Sequence, residues 1–194
     1  MHHIRRCKLF AILTLLTAAL IVQGAPLAQA ESSKTSIQPL RVAGTVIPGT
    51  GSILVRTKEG VGATLHTFGL VPGNVYTLWV AVFNNPKECA TNPCTVADVP
   101  NPDVQAVILW GSGQIAGEDG TADFGAFRAV GDTSGSAGLG TGTALENPFK
   151  AQIHLVVRSH GPVIPAMLSD QLSTFDGGCP PNTCANVQTA PHQP

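Results

Sequence analysis

Residues 75–83 read VYTLWVAVF, and apolar side chains fill the even and the odd positions alike. Because successive side chains of a strand point to opposite faces, this run predicts a strand that is buried on both faces. Such a strand lies in the middle of a sheet and has cover on each side. The stretch therefore predicts a layered β fold built around a central strand.

The rest of the chain has the spacing of an all-β protein. Short apolar segments alternate with turn residues, and 21 Gly and 15 Pro stand against 12% charged residues. One helix is predicted in IPAMLSDQLSTF, residues 164–175, where Pro165 opens the helix and Leu168, Leu172 and Phe175 share one stripe. The predicted strands are 40–47, 52–57, 63–68, 75–83, 104–110, 122–130, 152–158 and 186–189.

The first thirty residues have the pattern of a leader. Three basic residues within 5–8 precede an apolar stretch at 9–22, and small residues lead up to Ala30. This pattern predicts a secretory signal peptide over 1–30, cleaved after Ala30, with a retained membrane anchor as the alternative. The apolar stretch is shorter than the roughly 20 residues of a bilayer span, so no membrane span is expected after cleavage. We expect a secreted protein in the periplasm, on the cell surface or outside the cell.

Length and charge limit what the mature chain can be. We expect a flexible segment at 31–39, a single domain at 40–190 and a tail at 191–194. Removal of the leader takes three basic and no acidic residues, so eight basic and twelve acidic residues leave a net charge of −4. A mildly acidic chain without a basic cluster argues against nucleic acid as a partner.

Four cysteines remain after the leader, in two pairs of identical spacing. Cys89 and Cys94 enclose ATNP, and Cys179 and Cys184 enclose PPNT. An even count in an exported chain predicts disulfides, of which three connectivities are possible. Local pairs are favoured because Pro and Asn turn both intervening segments back. The alternative is a tetrahedral zinc site formed by all four thiolates.

Just before the central strand stands GLVPGNVYTLWV, residues 69–80. Leu70, Pro72 and Tyr76 have the Leu-x-Pro-x-x-x-Tyr spacing that resembles the tyrosine corner of fibronectin type III and immunoglobulin-like domains. The resemblance implies an immunoglobulin-like β-sandwich, here of about seven or eight strands with one short C-terminal helix. It does not extend to strand order, because three predicted strands precede this corner and about four follow it. The C-terminal run 154–188 also resembles exported bacterial β-sandwich proteins of unassigned function, and this resemblance implies no activity.

The segment QIHLVVRSH, residues 152–160, holds the candidate binding residues. In a strand, His154, Arg158 and His160 share one face, which we expect to be the wetter one. The two histidines lie about 20 Å apart in an extended strand, too far to bind one metal ion. Arg158 and His160 are neighbours at about 7 Å and can share a bound anion.

A metal-binding protein or metalloenzyme that uses these three residues is the alternative function. The turn GLVPG resembles the turn that copper–zinc superoxide dismutases place before a His-x-His strand. Here the corresponding positions hold Tyr76, Leu78 and Val80, which are not metal ligands. The resemblance therefore supplies the sandwich but no metal site, and no cofactor is expected.

No sequence motif of a hydrolase, a zinc protease or a nucleotide-binding loop is present, so no catalytic residue is assigned. The sequence favours a non-enzymatic binding or structural module of unknown partner. A protein or small-molecule ligand would contact the loops at 84–94, 131–148 and 159–162. A carrier of a small apolar ligand is a further alternative, and it would need a cavity between the sheets.

Overall fold

The computed structural model describes residues 33–194, in which eleven strands form two antiparallel sheets. The strands are β1 Lys34–Gln38, β2 Arg41–Val42, β3 Thr45–Val46, β4 Gly51–Thr57, β5 Gly60–Thr67, β6 Asn74–Phe83, β7 Ala106–Ile115, β8 Ala122–Ala129, β9 Ser136–Gly140, β10 Gln152–Pro162 and β11 Ala185–His192. The smaller sheet has the order β1-β4-β5-β8, and the larger sheet has the order β3-β2-β11-β10-β6-β7-β9. The predicted leader, 1–30, lies outside the described residues.

The two sheets pack face to face, and the all-β sandwich predicted from the sequence is confirmed. Alternate side chains of each sheet point inward and form one buried apolar cluster between them. Its members include Leu54, Leu65 and Phe124 from the smaller sheet and Tyr76, Leu78, Leu109, Ile153 and Leu155 from the larger sheet.

Strand β6 is the central strand that its sequence predicts. It forms backbone hydrogen bonds with β10 on one side and with β7 on the other, and every residue after the first is buried. The side chains of β6 that point away from the small sheet form a second apolar cluster with β7 and the loop between them. The outer face of the seven-stranded sheet therefore has a core of its own, centred on Trp79 and Phe83.

Three segments that the sequence analysis treated as irregular are strands. The polar segment expected to be flexible contains β1, which pairs along its whole length with β4 through backbone hydrogen bonds. The loop predicted at 131–148 contains β9, which pairs with β7. Strand β11 runs on to His192 and so includes part of the predicted tail. Backbone pairing needs no apolar side chains, which is why these strands have weak sequence signals.

The proline turn before β6 has the geometry of a tyrosine corner. The hydroxyl oxygen of Tyr76 accepts a hydrogen bond from the backbone N–H of Val71 at 2.9 Å. Tyr76 and Leu70 are buried, whereas Pro72 is exposed at the turn. The phenol thus ties the turn to the strand that follows it.

The C-terminal helical segment is a 3₁₀ turn, Pro165–Met167, followed by α1, Leu168–Ser173. The expected stripe of Leu168, Leu172 and Phe175 is only half-buried, and the fully buried residue of the helix is Gln171. Its amide bonds the carbonyls of His160 and Pro162 and the N–H of Ile164. Among residues 33–194, no helix is long and apolar enough to cross a bilayer.

Candidate functional site

Residues His154, Arg158 and His160 lie on one face of β10, as predicted, but other segments cover much of this face. His160 has no exposed surface and Arg158 has 9%. The loop 84–105 and the segment 163–184 lie over this side of the sheet and exclude water from it. The predicted solvated face is therefore largely covered, by the loop 84–105 and by the segment 163–184 that follows β10.

Beside this cover the outer face of the seven-stranded sheet holds an open apolar cavity of about 510 Å³, which we call the trough. Its floor consists of Trp79, Ala81, Phe83, Ile108, His154 and Val156. Its walls are Pro93–Val96 and Val99 of the loop after β6, Arg41 and the turn Ala43–Gly44, Leu139, Phe175, and residues 186–189 and Pro191 of β11. A carrier cavity was expected between the sheets, whereas the trough lies outside them.

The loop after β6 forms one wall of the trough, and the disulfide Cys89–Cys94 crosslinks this loop. Within the same loop the carboxylate of Asp98 accepts hydrogen bonds from the backbone N–H groups of Ala90 and Thr95, at 2.8 and 2.7 Å. These bonds, that from Ala90 first, lower the pKa of Asp98, so the carboxylate stays charged and keeps the loop ordered. The wall is thus a fixed structure.

His154 is the polar group at the floor of the trough. The backbone N–H of Cys94 donates to Gln152 Oε1 at 3.3 Å, and Gln152 Nε2 donates to His154 Nε2 at 2.5 Å. This chain of bonds places the imidazole proton on Nδ1, for which no described residue provides an acceptor. Burial lowers the pKa of His154 to about 4, so the ring is neutral at physiological pH. The trough thus offers one free N–H donor and no charge from this ring.

Aromatic rings fix the shape of the trough. Phe83 packs against the His154 ring with a centroid distance of 5.0 Å. Trp79 meets Phe175 edge to face, also at 5.0 Å, and the Arg158 guanidinium lies 3.9 Å from the centroid of Phe175. Rings held at these distances keep the cavity open without a ligand, as expected of a preformed site.

Arg158 does not share an anion with His160. Its Nε donates to the carbonyl of Phe175 at 2.7 Å, and its two Nη atoms donate to Asn186 and to the carboxylate of Asp176. The guanidinium therefore already has an anionic partner from its own chain. The predicted anion site was wrong because Asp176, which neutralises Arg158, comes from the segment 163–184.

His160 lies in a separate buried cluster with the second disulfide. Its Nδ1–H donates to the carbonyl of Gly177 at 2.8 Å and lies 3.5 Å from Cys184 Sγ. Because the ring proton is on Nδ1, Nε2 accepts from the hydroxyl of Thr77 at 2.8 Å, and the oxygen of that hydroxyl accepts the indole N–H of Trp79. Burial, as the largest cause, lowers the pKa of His160. Among residues 33–194, His160, Cys179 and Cys184 form the one group of three side chains placed to hold a metal ion.

The cysteines form the two local disulfides that the sequence favours, Cys89–Cys94 and Cys179–Cys184. Each pair closes its own loop, so the alternative of a zinc site from all four thiolates is not formed. His154 belongs to the trough and His160 to the disulfide cluster. The structure therefore does not gather His154, Arg158 and His160 into one binding site.

Two further histidines lie among residues 33–194, and neither belongs to the trough or to the disulfide cluster. His66 lies on the outer face of the smaller sheet, where its Nδ1 is 2.7 Å from the carboxylate of Asp123 and both side chains are exposed. His192 is fully buried between the hydroxyls of Ser36 and Ser52, at 2.8 and 2.9 Å. Burial lowers the pKa of His192 to about 4.

Of the three loops predicted to contact a ligand, two line the trough. Pro93 and Cys94 of the 84–94 loop form its wall, and Leu139 of the 131–148 segment lies at its edge. Residues 159–162 are not a loop but the end of β10. Sequence reasoning missed the floor residues Trp79 and Phe83. Their signal was present, because a strand buried on both faces requires partners on its outer side as well.

Comparison of the chain with models of known protein families, with curated proteins and with solved structures finds no match. The class of molecule is therefore defined by its own architecture, a disulfide-containing β-sandwich with an apolar trough on one outer face.

Proposed function

We propose that this protein is an exported binding module that holds one small, mainly apolar molecule in the trough. The observation that carries the proposal is the open cavity of about 510 Å³, floored by aromatic rings and by one imidazole N–H without a protein acceptor. Small-molecule sites typically have about 300 to 1,000 Å³ and combine an apolar lining with a few polar groups.

The polar groups of the trough define the kind of ligand. His154 is neutral and donates through Nδ1, so a matching ligand carries one hydrogen-bond acceptor, such as a carbonyl or ether oxygen, on an otherwise apolar body. Burial of the apolar body contributes roughly 25 cal/mol per Å² of area removed from water. The acceptor orients the ligand, because an N–H left unpaired by a bound apolar molecule is costly.

A neutral fluorescent probe tests the trough directly. N-phenyl-1-naphthylamine should bind the oxidised protein with one-to-one stoichiometry, with enhanced probe fluorescence and quenching of tryptophan emission. The substitution Ala81→Phe fills the floor of the trough and should weaken binding at least tenfold, a loss of about 1.4 kcal/mol. Thr64→Phe adds the same ring to the exposed outer face of the smaller sheet and should leave binding unchanged. Equal binding by the wild type and a folded Ala81→Phe variant would exclude the trough as the site.

Export is the second part of the proposal. The leader 1–30 and the two disulfides support it, since disulfides persist mainly in oxidising compartments. Expression of the full chain in a secreting bacterial host should yield mature protein outside the cytoplasm that begins at Glu31. Amino-terminal sequencing of that product provides the measurement, and an uncleaved chain retained in the membrane fraction would favour the anchor instead.

A further inference from the structure

The cluster of His160, Cys179 and Cys184 has a use that is independent of the trough. Their ligand atoms, Nδ1 and the two Sγ atoms, all lie within 4.8 Å of one another. We propose that reduction of the Cys179–Cys184 disulfide opens a site for one thiophilic divalent cation of the zinc class, bound by these three atoms.

The existing distances suit such a site. In a tetrahedral zinc centre, Zn–S bonds of about 2.3 Å and Zn–N bonds of about 2.0 Å place the sulfur and nitrogen about 3.5 Å apart. His160 Nδ1 and Cys184 Sγ are already 3.5 Å apart. Four residues separate the two cysteines, which is within the usual spacing of paired zinc ligands. The bonded sulfurs must separate, to about 3.8 Å for tetrahedral bond angles.

The surroundings of His160 can support it as a ligand. Metal binding requires a bare Nδ1, so the ring proton must be on Nε2, which faces the hydroxyl oxygen of Thr77 at 2.8 Å. That oxygen can accept from both His160 and Trp79, and it then acts as the outer partner that orients the ring. The carbonyl of Gly177 loses its donor in this change. It lies 3.7 Å from Cys179 Sγ and 3.9 Å from Cys184 Sγ, and water takes the fourth position of the cation, as in other sites with three protein ligands.

The chemistry balances with an external dithiol as the reductant. The dithiol gives two electrons and two protons to the S–S bond, becomes a disulfide itself and leaves Cys179 and Cys184 as thiols. The cation then displaces the two thiol protons into solvent, while His160 exchanges its Nδ1 proton for one on Nε2. Two thiolates neutralise the divalent ion, and the neighbouring Arg158 charge is already matched by Asp176.

Access to the cluster is through the cysteines. His160 is fully buried, whereas Cys179 and Cys184 are half-buried and lie in the turn before β11. A reductant or a metal ion therefore approaches from the sulfur side, and the imidazole closes the inner side of the site.

Cobalt(II) titration of the full-length mature protein tests the proposal. A Cys89→Ser/Cys94→Ser variant leaves the second pair as the only disulfide, and it is titrated oxidised and after anaerobic reduction. The reduced protein should bind one equivalent of Co²⁺, with intense visible bands of tetrahedral cobalt and a near-ultraviolet thiolate-to-cobalt band. The oxidised protein should show neither band.

Two further variants assign the ligands. His160→Gln should weaken Co²⁺ binding at least tenfold and change the visible bands, whereas His154→Gln, on the same strand but outside the cluster, should not. Because His160 is buried, Cys184→Ser serves as a second variant, and it should abolish most of the thiolate band in a protein whose circular dichroism is unchanged. Absence of a one-to-one cobalt spectrum after reduction, or an unchanged spectrum in folded His160→Gln, would overturn the proposal.

Discussion

His154 is half-buried and His192 fully buried, and both are neutral rings, which makes stability depend on pH. The pKa of each is lowered from 6.5 to about 4, mainly by burial. In the unfolded chain both rings bind protons below about 6.5, but the folded protein binds them only below about 4. The unfolded state therefore gains protons first, and the free energy of unfolding falls as the pH drops from about 6.5 to about 4. Above about 6.5 the two rings contribute no pH dependence.

We predict a loss of up to roughly 3 kcal/mol per histidine between pH 6.5 and 4, since one pKa unit corresponds to about 1.4 kcal/mol. Urea unfolding at a series of pH values measures the slope. His154→Gln and His192→Gln should each flatten it, while His66→Gln, at an exposed site, should leave it as in the wild type. A slope that survives in the double variant would assign the acid sensitivity to other groups.

At the same scale, sequence could predict which face a side chain occupies but not what covers that face. Alternation placed His154, Arg158 and His160 together on β10, and the structure agrees. Their burial depends on Asp176 and Gly177, which bond Arg158 and His160 from the segment after the strand. No local pattern reports such long-range contacts, so neither the pairing of Arg158 with Asp176 nor the cluster at His160 could be predicted from the sequence.

At the scale of elements, the loop after β6 is the part of the trough most open to a direct test. Cys89 and Cys94 close a short ring, for which chain entropy gives a stabilisation of about 2 kcal/mol. We predict that Cys89→Ser/Cys94→Ser leaves the sandwich folded, lowers its stability by about this amount and weakens probe binding in the trough. Thermal unfolding followed by circular dichroism and a probe titration provide the two measurements.

The matched control is Cys179→Ser/Cys184→Ser, which opens a ring of the same size away from the wall of the trough. Its probe affinity should match that of the wild type. If opening Cys89–Cys94 melted the whole sandwich, the disulfide would be holding more than one loop.

The apolar segments were enough to predict the sandwich and its central strand, because burial depends directly on side-chain hydropathy. Edge elements such as β1 and β9 were missed because backbone pairing alone stabilises them.

The helix was predicted in the right place with the wrong contacts. A Cβ at Gly113 of β7 would lie 2.1 Å from the carbonyl oxygen of Leu172. The backbone of the helix therefore packs directly on the sheet, at a position that has no side chain. Helical periodicity cannot show an approach of this kind.

At the scale of the whole molecule, the C-terminal strand holds the two sheets together. Arg56 of the smaller sheet is fully buried, and its guanidinium donates to the carbonyls of Pro148, Ala151, His192 and Gln193. His192 also bonds the serines of β1 and β4. Removal of residues 185–194 thus takes away a strand between β10 and β2, His192 itself and two of the four carbonyl partners of Arg56.

We predict that deletion of residues 185–194 yields a chain that does not fold, because these losses together exceed the roughly 5 to 15 kcal/mol by which domains are stable. Removal of Pro194 alone, which is exposed, should leave the unfolding midpoint unchanged. Circular dichroism and urea unfolding of the two truncated proteins supply the comparison. A cooperative unfolding transition in the longer deletion would show that β11 is dispensable.

The position of β11 also sets the order of events during synthesis. Strand β11 follows the other ten strands in sequence, yet it lies inside the seven-stranded sheet and completes the set of carbonyls around Arg56. The nascent chain therefore cannot complete its larger sheet until β11 has been synthesised. Before that point β2 and β3 have no strand that joins them to β10.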